Sequence, residues 1–135
     1  MNRSKKLLTV KENHLFLRAY SKGKCAVSKS IAVYILKNKR SSDVKYGITV
    51  SKDRGNAVVR NRLRRIIRAA YRELYPRIRR GYIIIIVARQ GCIGQKSGKI
   101  KSELEQLFKK SELLFEQNNE NTGNIDIAYK IKKED

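Results

Sequence analysis

The most apolar stretch of the chain, Tyr82-Ile-Ile-Ile-Ile-Val-Ala88, runs without a polar interruption and predicts a central strand covered on both faces. Ser30-Ile-Ala-Val-Tyr-Ile-Leu36 is nearly as continuous and rich in β-branched residues, so it predicts a second well-covered strand. Val44, Tyr46, Ile48 and Val50 alternate with Lys45, Gly47, Thr49 and Ser51, the period-two pattern of a strand with one wetter face. A polar connector over residues 37–43 joins these last two strands and predicts that they pair antiparallel.

Beyond Gly55 the period becomes helical. At about 100° per residue, Val59, Leu63, Ile66, Ile67, Ala70 and Leu74 share one arc of roughly 100°, a single core-facing stripe. Asn56 suits the N-cap, and Pro76 ends the helix near residue 75. Upstream, Thr9-Val-Lys-Glu12 has the spacing of a capping box and predicts a helix from about residue 10 to 21, with Gly23 as its left-handed cap. In that helix Leu15 and Ala19 make a core stripe. Phe16 and Tyr20, four residues apart, read either as a core edge or as a base-stacking platform. Ile100, Leu104, Leu107, Phe108, Leu113, Leu114 and Phe115 predict a last helix over about residues 99–116. Residues 116–124 carry no apolar side chain and predict disorder, although Ile125, Ile127, Tyr129 and Ile131 alternate further on. A single domain over residues 1–116 with a polar, disordered tail over 117–135 follows.

Charge then decides what the long helix is for. The chain has 32 Lys and Arg against 12 Asp and Glu, a formal charge of +20. The excess lies in the domain, because residues 1–102 hold 27 bases and 4 acids. Such a surplus repels itself unless a polyanion screens it. On the long helix the face opposite the core stripe carries Asn61, Arg64, Arg65, Arg68 and Arg72, with Arg60 and Arg62 flanking the stripe. Arginine forks bind phosphate two-pronged and stack on bases, where lysine is a point charge, so this face predicts RNA or DNA contact. No apolar run approaches the roughly 18 residues of a membrane span, and Leu7-Leu-Thr-Val10 is too short for an export signal, so the cytoplasm is expected. Cys25 and Cys92 lack metal or disulfide spacing and are expected as reduced thiols.

Catalytic chemistry is sparse. Before residue 103 the only acids are Glu12, Asp43, Asp53 and Glu73, on different elements, and the only histidine, His14, has no sequence neighbour to work with. There is no nucleotide-binding glycine loop and no nucleophile elbow. What the sequence supplies is positive charge, aromatic faces and shape.

Lys45-Tyr-Gly-Ile-Thr-Val-Ser-Lys52, followed by Gly55-Asn-Ala-Val-Val-Arg-Asn-Arg-Leu-Arg-Arg65 and Arg68, resembles the signature of the bacterial ribonuclease P protein component, with Arg60-Asn61-Arg62 at its centre. The resemblance extends to Phe16, Tyr20 and Gly23, to Tyr34, and covers about residues 6–116. It implies an α+β fold: a small twisted, mainly antiparallel sheet packed with helices, of ribosomal-protein-like type, with a left-handed βαβ crossover around the arginine-rich helix. Handedness rules alone predict a right-handed one. The resemblance also implies a subunit of the tRNA 5′-maturation endoribonuclease in which an RNA subunit, with magnesium held mainly by RNA, hydrolyses the phosphodiester. No organic cofactor, membrane or second protein is implied.

Carried over by position, Arg60, Asn61, Arg62, Arg64, Arg65, Arg68 and Arg72 would contact the RNA subunit. Phe16, Tyr20, Lys29, Tyr34 and Lys52 would line the cleft for the 5′ leader of precursor tRNA. The alternative is a non-catalytic RNA-binding module of ribosomal-protein type. Three positions depart from the family pattern: Tyr20 stands for a more usual phenylalanine, Asp53 for a second basic residue and Ile83 for an acid at the start of the central strand. The first keeps a π face; the second puts an anion where the resemblance would imply a cation for phosphate or RNA contact.

Overall fold

A computed structural model describes residues 7–38 and 41–115. In chain order its elements are β1 (Leu8–Thr9), α1 (Asn13–Lys22), β2 (Lys24–Val27), β3 (Ile31–Lys37), β4 (Lys45–Thr49), α2 (Ala57–Leu74), β5 (Tyr82–Ala88) and α3 (Ser97–Lys110). The expected tail over 117–135, with its alternating isoleucines, lies outside the described residues. No helix among the described residues is long and apolar enough to cross a membrane.

The strands form one mixed sheet in the order β1-β4-β5-β3-β2. The uninterrupted apolar run is its middle strand. β5 is antiparallel to β3, from Ile31↔Ala88 to Lys37↔Tyr82, and parallel to β4, from Lys45↔Ile83 to Thr49↔Val87. β2 continues the antiparallel side and β1 the parallel side. The antiparallel pair expected between β3 and β4 does not form, because β5 lies between them. Pairing β3 with β4 would leave β5 at an edge, where one row of its amides and carbonyls would have no strand partner. The α2 connection from β4 to β5 is the parallel crossover.

Each face of the sheet has its own cover. Val33, Ile35, Tyr46, Ile84 and Ile86 pack against α2 and α3, in one core with Leu63, Ile67, Leu74, Ile100, Leu104 and Phe108. Ile83 and Ile85 face the other way, beneath Ala19, Leu15 and Phe16 of α1. The alternation predicted for β4 is realised: Tyr46 and Ile48 belong to the α2 side, while Gly47 meets α1.

Asn56 caps α2 as expected, its Oδ1 accepting from Val59 N at 3.0 Å. The other helix ends differ from expectation. No capping box forms at Thr9–Glu12: Leu8 and Thr9 are drawn onto β4 as β1, and Val10 N donates to Tyr46 O at 2.8 Å, so α1 starts only at Asn13. Gly23 is extended, with φ −76°, not left-handed. Its need is proximity, since a Cβ there would lie 2.6 Å from Ala19 O and 3.0 Å from Ile35 O. The last helix ends at Lys110; Glu112 takes φ 59°, and Leu114 bridges to Ile78 instead of continuing the helix.

Candidate nucleic-acid interface

α2 has one buried face (Leu63, Ile67, Ala70, Tyr71, Leu74) and an arginine face turned away from it. Arg65, Arg68 and Arg72 are exposed, as is Asn61, whose Oδ1 accepts from Arg64 Nη1 at 3.4 Å. Arg60 and Arg62, flanking the apolar stripe, are half-buried and bonded to backbone: Arg60 Nε donates to Gly55 O at 3.1 Å and Arg62 Nη2 to Gln95 O at 3.2 Å. Among the described residues the ion pairs are Arg77–Glu105, Lys99–Glu103, Lys101–Glu73 and Lys109–Glu105. None uses an arginine of α2. Every one of these pairs involves α3, so among the described residues the α2 guanidinium groups have no carboxylate partner.

A second surface lies on the other side of the sheet, where α1 crosses it. The ring of Phe16 rests on Gly47, where a Cβ would come within 2.7 Å of Phe16 Cζ. Glycine is therefore what lets the ring down onto the strand. One turn along α1, the Tyr20 hydroxyl is 3.0 Å from Thr49 Oγ1. The Tyr20 ring meets Tyr34 edge-to-face, with centroids 4.9 Å apart. Burial, then the neighbouring Cys25 thiol, pushes the Tyr34 phenol upward, so it stays a neutral ring at physiological pH. Tyr20 and Tyr34 thus touch on this face, and Phe16 and Tyr34 pack on the same apolar cluster beneath α1. Lys29 and Lys52 are both exposed and lie at the same end of it, because Ile31 pairs with Ala88 and Thr49 with Val87 at that end of β5.

Arg89, absent from the sequence-based set, joins this end. It leaves β5 beside Lys29, its charge is felt at Tyr34, and its Nη1 donates to Ser28 O at 2.6 Å. Only strand pairing brings it there, so local sequence carried no signal. Arg54, by contrast, is held by Ala88 O and Gln90 Oε1. At the opposite end of α1 a groove of about 660 Å³ is lined by His14, Arg18, Lys45 and Glu12 among others. His14 is exposed there.

Cys25 is a free exposed thiol and Cys92 a free buried one, which burial, with Glu103 adding to it, pushes up to about 11. Among the described residues no three His, Cys, Asp or Glu side chains converge on a metal site. Chemically, exposed guanidinium groups on one side can bind a polyanion, and exposed aromatic faces on the other can stack on planar rings.

The family model described as Ribonuclease P matches residues 2–112. The chain belongs to the ribonuclease P protein family. It is 33% identical over 110 residues to the ribonuclease P protein component of Symbiobacterium thermophilum, covering 82% of this chain and 96% of that one. To the Bacillus cereus (strain B4264) component it is 36% identical over 107 residues, covering 79% and 93%. The Staphylococcus aureus ribonuclease P protein structure superposes with a TM-score of 0.74 at 33% identity, covering 82% of this chain and all of that one. The Thermotoga maritima ribonuclease P protein, 24% identical with a TM-score of 0.69, shares the fold. The function that follows is that of a ribonuclease P protein component, a part of an endoribonuclease of tRNA processing.

Proposed function

We propose that this chain grips two RNAs for that endoribonuclease: the ribonuclease P RNA subunit through Arg60, Asn61, Arg62, Arg64, Arg65, Arg68 and Arg72, and the 5′ leader of precursor tRNA through Phe16, Tyr20, Lys29, Tyr34 and Lys52. The observation that carries the reading is the pairing of an arginine face, without carboxylate partners among the described residues, and an aromatic group on the opposite side of one sheet. The Lys52–Asn56 segment leads from β4 into α2 and so connects the two surfaces along the chain. Leader bases would stack on the rings, a contact that tolerates any sequence and contributes about 1–3 kcal/mol per base. In this reading the phosphodiester is hydrolysed by the RNA subunit, in the cytoplasm, and no further protein is needed. Magnesium, held mainly by RNA, would activate water and neutralise the departing oxygen there; the protein residues contribute binding and orientation.

The test is reconstitution. Adding the protein to the matching RNA subunit at low magnesium is expected to raise cleavage of precursor tRNA strongly, with no cleavage by protein alone. Cutting by the protein without RNA overturns the division of labour. A ribosomal-type binding module would instead co-purify with ribosomal RNA fragments and leave the reconstituted rate unchanged.

A further inference from the structure

We infer that Glu103 of α3 is a positioning residue for the cationic end of the aromatic cleft, acting through the turn that carries Lys29; the inference rests on the leader-cleft reading above. The link between β2 and β3 is only Ser28-Lys29-Ser30, and both serines are tied to one carboxylate. Glu103 Oε1 accepts from Ser28 Oγ at 2.5 Å and from Ser30 N at 3.1 Å, and Oε2 accepts from Ser30 Oγ at 2.9 Å. Lys99 Nζ, from the preceding turn of the helix, lies 3.8 Å from the same group. Burial alone would raise the Glu103 pKa, but these donors outweigh it and hold the carboxyl below its ordinary range.

The end of β5 fixes the other side of the turn. Arg89 N donates to Ser30 O at 2.9 Å and Arg89 Nη1 to Ser28 O at 2.6 Å. Gly91 O lies 3.3 Å from Ser30 Oγ, and the chain passes so close that a Cβ on Gly91 would lie 2.5 Å from Lys29 O. Lys29 itself remains exposed at the apex. An exposed lysine on a loose turn would have to be ordered at the moment of binding, which weakens the contact; on a fixed turn that ordering is complete before the ligand arrives. The same turn carries the carbonyl that holds Arg89 beside Tyr34. One half-buried carboxylate on the α3 layer therefore aims two cations across the sheet, without touching RNA.

The experiment uses holoenzyme made from full-length protein and the matching RNA subunit, with precursor tRNA bearing either a several-nucleotide or a one-nucleotide leader. Glu103→Ala is expected to weaken the long-leader substrate roughly fivefold while leaving the short-leader one within about twofold. Glu103→Gln, which keeps an acceptor for Ser30 N, is expected to recover part of the loss. Combined with Lys29→Ala, Glu103→Ala is expected to add no further loss, since the two act as one unit. In the free protein, amide relaxation should show residues 28–30 loosened and β3 and β5 unchanged. Equal losses on both substrates, losses that multiply in the double variant, or an unchanged turn overturn the inference. Should Glu103→Ala fail to fold, Ser30→Ala, which removes the turn's hydroxyl bond to Glu103 Oε2, is expected to give a leader-specific loss of the same kind, and its absence counts against the role. If Phe16→Ala and Lys29→Ala both spare leader discrimination while the turn loosens, it is the leader-cleft reading that falls.

Discussion

Two buried residues show what single positions contribute. Tyr71 is fully buried and stacks on Tyr46, with ring centroids 4.2 Å apart and planes 17° apart, yet its hydroxyl has no hydrogen-bond partner. Burial, with Tyr75 and Tyr46 beside it, pushes that phenol far above its usual range. The ring stabilises and the hydroxyl costs, so Tyr71→Phe is expected to leave stability unchanged or raise it by up to about 1 kcal/mol in a denaturant titration. A clear loss would mean that the hydroxyl is satisfied in solution. At Gly47 the expectation runs the other way: Gly47→Ala places a methyl 2.7 Å from Phe16 Cζ and must displace the ring. Overpacking of this kind costs about 1–3 kcal/mol, and leader-bearing substrate should bind more weakly while RNA-subunit affinity is kept. Equal binding of leader by this variant would detach Phe16 from the leader.

At the scale of elements, periodicity made β5, β3, β4 and α2 legible, and Asn56 and Pro76 bounded the long helix correctly within a residue or so. What stayed hidden depended on partners distant in sequence. β1 is two residues long and exists only because β4 offers it an edge; the same Thr9 and Glu12 satisfied a local helix signal that tertiary pairing overrode. β2, Lys24-Cys-Ala-Val27, has too few apolar positions to show a period. Tyr71 lies just beyond the arc assigned to the core stripe of α2 and is buried because Tyr46 meets it. The aromatic residues of the cleft were recognisable in sequence, but Arg89 and the Glu103 bonds were not, since β5 and α3 bring them there from 60 to 75 residues away. α3 also sets an acid sensitivity. Hydrogen bonding from Arg77 holds Glu105 below its ordinary value of 4.5, as the serines and Lys99 hold Glu103. A lowered folded pKa means that the unfolded chain takes up protons first, so this stabilisation is complete above about pH 4.5 and declines as pH falls through the folded values. Thermal unfolding should show a flat midpoint near neutrality and a fall below that pH, less steep in Glu105→Gln.

For the molecule as a whole, a formal charge of +20 makes affinity a function of salt. Removing one arginine–phosphate interaction should reduce the logarithmic salt slope by roughly 1, so Arg65→Ala and Arg68→Ala should each flatten it by that amount in RNA-subunit binding. Ion pairs already made to carboxylates should matter less: Lys101→Ala, which breaks a pair with Glu73, is expected to leave the slope unchanged. An unchanged slope in both arginine variants would remove α2 from the RNA interface.

The middle position of β5 also sets the order in which the protein takes shape as it is made. β3 and β4 precede β5 in the chain, yet they join only through it. Until residues 82–88 leave the ribosome, the sheet consists of separate pieces, and the apolar stripe of α2 has no complete floor to lie on. For that interval α2 is a basic, half-apolar segment whose apolar stripe is only partly covered. The sheet closes when that single late strand enters between two waiting edges, and α3, later still, completes the core over α2.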